Sequence, residues 1–220
     1  MIRATNKTFQ SYFGGTKQLP RKGDRFVRKS RSATISKDNS FHRSPGVFTF
    51  GFDLAADALL ELITLQNRRD SVVDHLHVPA LLWPTLYLVR HSVELALKEA
   101  IAFGELELGL ARTNFSGHNL ARLSDRFCEL VGFVAPREKR GSMVAFRALV
   151  QELDGYDPGG AAFRYPLDTI GRQYPFSGDG IYPDEFRSSL DKTRNYIKCF
   201  MYLVTDLANL EELRSQQNQE

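Results

Sequence analysis

Cysteine is scarce in this chain: Cys128 sits in RFCEL and Cys199 in IKCFMYL, with no CxxC and no Cys/His ligand spacing. Neither a disulfide framework nor a zinc site is indicated, and a reducing cytosol fits. Long hydrophobic runs are also missing, since no stretch approaches the roughly 18–20 apolar residues that a membrane span needs. A soluble, cytoplasmic protein without a membrane partner is expected. No apolar segment follows the first positive charges, so a secretory signal is not expected, although the shortage of acidic residues there leaves a transit peptide conceivable. The sequence has no GxxxxGK phosphate loop, no GxSxG nucleophile elbow and no HExxH. That argues against three widespread routes to phosphate, acyl and peptide chemistry. Asp53, Asp57, Glu61 and Asp70 are spread over one segment with nothing in their spacing that demands a metal, and no cofactor is expected.

Charge is present but unevenly placed. Residues 1–45 hold 11 Lys/Arg against 2 Asp/Glu, whereas residues 46–220 hold 18 against 24. The chain therefore divides into a basic, flexible N-terminal arm (1–45) and a mildly acidic body (46–220). The arm lacks regular apolar spacing and is rich in Ser, Gly and Arg, so it is expected to be mobile or ordered only against a partner. Such an arm attracts polyphosphate by counterion release, in a salt-sensitive and sequence-independent way. A solvated tail is the plainer reading.

The body reads as all-α. VFTFGFD, residues 47–53, alternates like a short strand, and a helical period begins at Leu54 and ends near Asn67. A second and longest helix starts between Pro79 and Pro84 and runs to about Phe103. A third opens at FSGHNL with Ser116 as a candidate N-cap. The fourth begins after Pro136 and carries Val144, Phe146, Leu149, Val150 and Leu153. The last spans Asp184 to about Leu213. Between the fourth and last lies DGYDPGGAAFRYPLDTIGRQYPFSGDGIYP, residues 154–183, with six glycines, four prolines and six aromatics. It is too irregular for a helix and too aromatic for an idle linker. The fold expected is an antiparallel bundle of about five helices with a long aromatic loop or small β-hairpin insertion, residues 161–176 being strand-like.

The second helix poses the functional question. In LYLVRHSVELALKEAI, residues 86–101, Arg90, His91, Glu94 and Lys98 are threaded through a core helix. At about 100° per residue, Tyr87, His91, Glu94 and Lys98 fall within about 100° of Arg90. They form one stripe, flanked by Leu86, Val89, Val93, Ala96, Leu97 and Ala100 on one side and by Leu88 and Leu95 on the other. Charges in such surroundings must be paired or shift their pKa. Arg90 with Glu94 and Glu94 with Lys98 are i,i+4 neighbours. The stripe is either a buried network that fixes helix register or a polar binding or catalytic site. Two further elements favour a site: His118, expected in the first turn of its helix where backbone N–H groups attract anions, and Arg164 in the aromatic loop.

RHSVELALKEAI, GHNLARL and FRYPLD, in that order in an all-helical chain, resemble the bacterial members of the HEPN superfamily (higher eukaryotes and prokaryotes nucleotide-binding domains). The resemblance covers roughly residues 54–213. It implies a helical bundle, commonly a homodimer, and in many members a metal-independent endoribonuclease of toxin–antitoxin, CRISPR-linked or abortive-infection systems. It implies RNA as substrate and an antitoxin or other defence-system protein as partner. Family sites use an Arg, a polar residue and a His a few positions later, with His handling the 2′-hydroxyl proton or leaving group and Arg holding the scissile phosphate. In the family this motif sits near the start of the last core helix, but here that helix carries Arg187 and Arg194 and no histidine. The spacing recurs at Arg69-Asp70 with His75 and at Arg112-Thr113 with His118. The candidate catalytic set is Arg90, His91, His118 and Arg164, with Glu94, Lys98, Arg112, Tyr165 and Asp168 as binding or supporting residues. A non-catalytic HEPN module that binds a nucleotide or protein partner is the alternative.

Overall fold

The computed structural model describes residues 45–67, 77–136, 140–165, 170–171 and 181–217. Among them are five helices and no strand: α1 (Pro45–Asn67), α2 (His77–Glu107), α3 (Leu120–Val134), α4 (Arg140–Tyr156) and α5 (Pro183–Gln217). The basic arm up to Ser44, and Arg69, Asp70, His75 and Asp168, lie outside the described residues. None of the described helices is long and apolar enough to cross a membrane.

The molecule is a helical bundle organised around α2, which packs against α1, α3 and α5, while α4 packs on α3 and α5. Val89, Val93, Leu97, Ala100 and Ile101 are buried along one side of α2 at the helical spacing of the sequence. They join Leu60 of α1, Leu123 and Phe127 of α3, Val150 of α4 and Phe200 of α5 in one core. Phe127 links three helices, its ring lying 5.0 Å from that of Phe200 and 5.1 Å from that of Phe146. Tilted and edge-on contacts of this kind are the favourable ones for aromatic rings. Polar ties hold the periphery: Arg194 on α5 meets Asp53 at 2.8 Å and Asp57 at 2.7 Å on α1. Buried Glu105 accepts from Thr113 N at 2.8 Å and from Arg126 Nε at 2.9 Å, pinning the α2–α3 connection.

At Gly104, α2 leaves no room for a side chain, because a Cβ would lie 2.7 Å from Phe200 Cζ. Overpacking costs about 1–3 kcal/mol, and the better helix propensity of alanine returns at most about 1 kcal/mol. Gly104→Ala is therefore expected to lower the urea midpoint by the equivalent of about 1–2 kcal/mol. A midpoint equal to that of the parent would show that Phe200 yields freely.

Several boundaries differ from the sequence expectation, each for a physical reason. Residues 47–53 are helical and not a strand, since α1 begins at Pro45. Proline suits a first turn, where its fixed φ is helical and its missing N–H has no partner to lose. Thr49, Ala56, Leu60 and Ile63 are the buried positions, and their spacing is helical. α2 begins at His77, which places Pro84 inside the helix, and it continues to Glu107. Ser116 is not the N-cap of α3: Gly117 has φ +101°, and Asn119 caps the helix by accepting from Arg122 N at 2.7 Å. His118 thus precedes the cap instead of occupying the first turn. α4 runs through Tyr156, so Asp154–Tyr156 are helical and the aromatic loop starts later than residue 154. Residues 161–165 form turns and not a strand, with Arg164 N and Tyr165 N both donating to Ala161 O at 3.1 Å. Of the expected hairpin's remaining residues, only Ile170 and Gly171 are among those described.

Candidate functional site

Arg90 is 2% exposed. A buried guanidinium needs partners on every side, and it finds them on three segments. Its Nη1 donates to Glu94 Oε2 at 2.9 Å, one turn along α2. Its Nε donates to the Asp157 carbonyl at 3.0 Å and lies 3.4 Å from Asp157 Oδ2. Its Nη2 donates to the His118 carbonyl at 2.5 Å. Arg90 therefore fastens α2 to the turn after α4 and to the chain entering α3. Two aspartates complete the joint. Asp154 Oδ1 accepts from Leu120 N at 2.9 Å, and Asp157 Oδ1 accepts from Ala162 N at 2.7 Å.

Glu94 turns the network toward solvent. Its Oε1 accepts from Lys98 Nζ at 2.7 Å and lies 2.8 Å from His118 Nδ1. Lys98 also donates to the Gly117 carbonyl at 3.0 Å. Burial opposes ionisation of Glu94, but the hydrogen bonds from Lys98 and His118 outweigh it and hold the carboxyl below its ordinary range. An ionised carboxylate can only accept, so His118 Nδ1 carries a proton toward Glu94 and Nε2 is the ring nitrogen not committed to that pair. The His118 side chain is 47% exposed.

Beside this pair, His91 stands edge-on to Phe52, with 4.5 Å between ring centroids, and stacks on Tyr87 at 5.7 Å. Its pKa is lowered below 6.5, first by burial and then by the positive neighbours His118, Arg164 and Arg90, against the opposing attraction of Glu94. The neutral form of His91 is thereby favoured. Arg164 is exposed. Its Nε donates to the Gly160 carbonyl, and its guanidinium lies 5.9 Å from the Tyr87 ring and 5.8 Å from the Tyr165 ring. Such cation–π contacts steady a charge at the surface without neutralising it.

Tyr87, Arg90, His91, Glu94, His118, Gly160 and Arg164 line one recess of about 20 Å³. That volume holds a water molecule or the tip of a ligand, and anything larger must rest on the surface against His118 and Arg164. Gly160 makes the closeness feasible. Its φ is +73°, and a Cβ there would lie 3.0 Å from Arg90 Nη1 and 3.5 Å from His118 Cβ. Gly160→Ala is expected to destabilise the protein by about 1–2 kcal/mol from the left-handed backbone alone, measured by thermal or urea unfolding. A stability equal to the parent's would refute this reading of the turn.

The four residues proposed from sequence as a cluster, Arg90, His91, His118 and Arg164, do meet at one recess, together with Glu94. Lys98 adjoins it through Glu94, and Tyr165 adjoins it through Arg164. Arg112 is exposed and does not line it, and Asp168 lies outside the described residues. On α5, Arg187 and Arg194 are engaged with α1 instead. Sequence reasoning missed Asp154, Asp157 and Gly160. The available signal was the buried arginine itself, which one i+4 carboxylate shared with a lysine could not satisfy. Among the described residues, no group of three or more His, Cys, Asp or Glu is arranged to hold a metal ion. Comparison with models of protein families, with curated proteins and with solved structures finds no match to this chain.

Proposed function

We propose that the chain is a HEPN-type RNA-targeting protein, a metal-independent endoribonuclease of bacterial defence or growth control. The observation that carries this reading is the Glu94–His118 pair, 2.8 Å apart, presenting an exposed imidazole beside Arg164. Glu94 fixes the tautomer and orientation of His118, as a carboxylate does for a catalytic histidine in general. His118 Nε2 takes the proton of an RNA 2′-hydroxyl. The 2′-oxygen attacks phosphorus, the P–O5′ bond breaks, and the same imidazolium returns the proton to the leaving 5′-oxygen. The products are a 2′,3′-cyclic phosphate and a 5′-hydroxyl. Arg164 holds the phosphate as charge builds on it, and neutral His91 supplies a further hydrogen-bonding group. Arg90, whose three nitrogens all have partners inside the protein, positions His118 and does not reach the substrate.

In this reading the protein acts as a homodimer. The exposed α1 residues Phe50 (67%), Leu54 (60%) and Leu62 (48%) supply apolar surface for the second copy. An antitoxin or other defence-system protein restrains the activity, and the basic arm adds affinity for RNA. The test is incubation of purified protein with RNA in EDTA, with the product ends analysed. Cleavage to cyclic phosphate ends supports the reading, and intact RNA at high protein concentration rejects it. One observation favours the non-catalytic alternative, namely the saturation of buried Arg90, which fits a network that sets helix register. That alternative expects no cleavage and a nucleotide or protein complex weakened by Glu94→Gln or Lys98→Ala.

A further inference from the structure

We propose that the cleft between α2, α4 and α5 binds a lipophilic organic cation, at a site separate from the Glu94–His118 recess. The cleft has a volume of about 380 Å³, within the range of roughly 300–1,000 Å³ usual for small-molecule sites. Leu86, Val89 and Leu190, all buried, form its apolar floor. Five aromatic groups stand in its walls: Trp83, Tyr156, Phe163, Tyr182 and Phe186. The Trp83 and Phe163 rings lie 6.3 Å apart and are tilted by 30°, and both line the cleft.

The charge at the cleft has one sign. Glu152 and Glu185 contribute carboxylates, and no Lys, Arg or His is among its described lining residues. Aromatic faces carry the negative lobe of the ring quadrupole and attract cations, most strongly where water is excluded. Carboxylates at the mouth add a Coulombic preference of the same sign. Phosphates and nucleotides are repelled, so the cleft is not an extension of the anion-facing recess. The floor in turn disfavours small hydrated ions, because they would lose hydration to hydrocarbon without compensation. The ligand class that satisfies both demands is a quaternary or protonated amine with an aromatic or aliphatic body. The cleft and the recess share one turn, since Tyr156 and Phe163 face the cleft while Asp157 and Arg164 serve the recess. The proposal does not depend on the reaction at that recess.

Trp83 is the single tryptophan of the chain, so intrinsic fluorescence of the full-length protein reports on the cleft. The probes are benzyltrimethylammonium, its neutral isostere neopentylbenzene, and benzenesulfonate. The cation is expected to give a saturable change in Trp83 emission, the neutral isostere to bind about tenfold more weakly, and the sulfonate to give none. The double variant Glu152→Gln/Glu185→Gln alters two exposed side chains and should fold as the parent, checked by circular dichroism. It is expected to lose about tenfold in affinity for the cation while binding neopentylbenzene unchanged. Equal affinity for all three probes, no saturable response to the cation, or undiminished cation binding by the double variant would each overturn the proposal.

Discussion

Arg90→Met is expected to destabilise the bundle by about 3–5 kcal/mol, the range for removing one partner of a buried charge network. The loss arises less from the missing attraction than from what is left behind. Asp157 Oδ2 is buried without a hydrogen bond, and its nearby compensating charge is Arg90 Nε at 3.4 Å. The His118 carbonyl would also lose Arg90 as a donor, and the Asp157 carbonyl would keep only the turn donors Gly159 N and Gly160 N. The control is Asp125→Asn, which removes a 3.1 Å ion pair whose side chains are 42% and 55% exposed and should cost under about 1 kcal/mol. Urea titration at neutral pH reads both as midpoint shifts at constant slope. A loss for Arg90→Met no larger than that of Asp125→Asn would show that solvent reaches the network.

Acid should find the same weakness. The Glu94 carboxyl titrates lower in the folded protein than in the unfolded chain, so its contribution is complete above about pH 5 and falls away as pH drops through the folded value. His91 adds a loss of the same sign, because the unfolded imidazole takes up a proton near its ordinary 6.5 before the folded one does. Stability measured from pH 7 downward should decline in two stages, first from His91 and then from carboxylates. Lys98→Ala, which removes the largest of the interactions that hold Glu94 ionised, should show a shallower second stage.

How much of this is legible in the sequence follows from the range of each interaction. The apolar face of α2 is legible because Val89, Val93, Leu97 and Ile101 repeat at a period set by the helix itself. The stripe is legible for the same reason, since Arg90, Glu94 and Lys98 are one turn apart. The start of α1 is not, because VFTFGFD alternates over so few residues that strand and helix periods coincide, and only its continuation into Ala56 and Leu60 separates them. FSGHNL offers two capping residues, and the choice of Asn119 over Ser116 depends on a backbone angle at Gly117. Asp157 lies 67 residues from Arg90 in a Gly- and Pro-rich segment that reads as turn chemistry. Its carboxylate and carbonyl do serve the turn, through Ala162, Gly159 and Gly160. The same residue also faces a buried cation, and no local pattern announces that second role.

Within the stripe, Arg90 and Glu94 are buried while His91 and Lys98 are half-buried. Arg90, Asp154 and Asp157 lie inside and fix the relative placement of α2, the α3 start and the turn after α4. His118, His91 and Arg164 lie along the edge that their placement creates. The inner network is thus the support for the outer groups, as a rigid shell is for any site that must hold its geometry.

On the proposed ribonuclease reading, His118→Ala is expected to reduce RNA cleavage by about 10²–10⁴-fold, the usual contribution of a positioned proton-transfer group. Stability should change little, because alanine keeps the carbonyl that accepts from Arg90 and the lost side chain is 47% exposed. Glu94 retains Arg90 at 2.9 Å and Lys98 at 2.7 Å. The variant therefore separates chemistry from folding, which Arg90→Met cannot do. Arg164→Ala should behave differently, since an exposed cation that meets phosphate contributes to binding as well as to the transition state. Its loss should raise KM and flatten the dependence of binding on salt by about one counterion, whereas His118→Ala should fall mainly on kcat. If His118→Ala cleaves RNA as fast as the parent protein, the Glu94–His118 pair is not the proton-transfer device. If both variants change KM alone, the recess is an RNA-binding surface whose chemistry lies elsewhere.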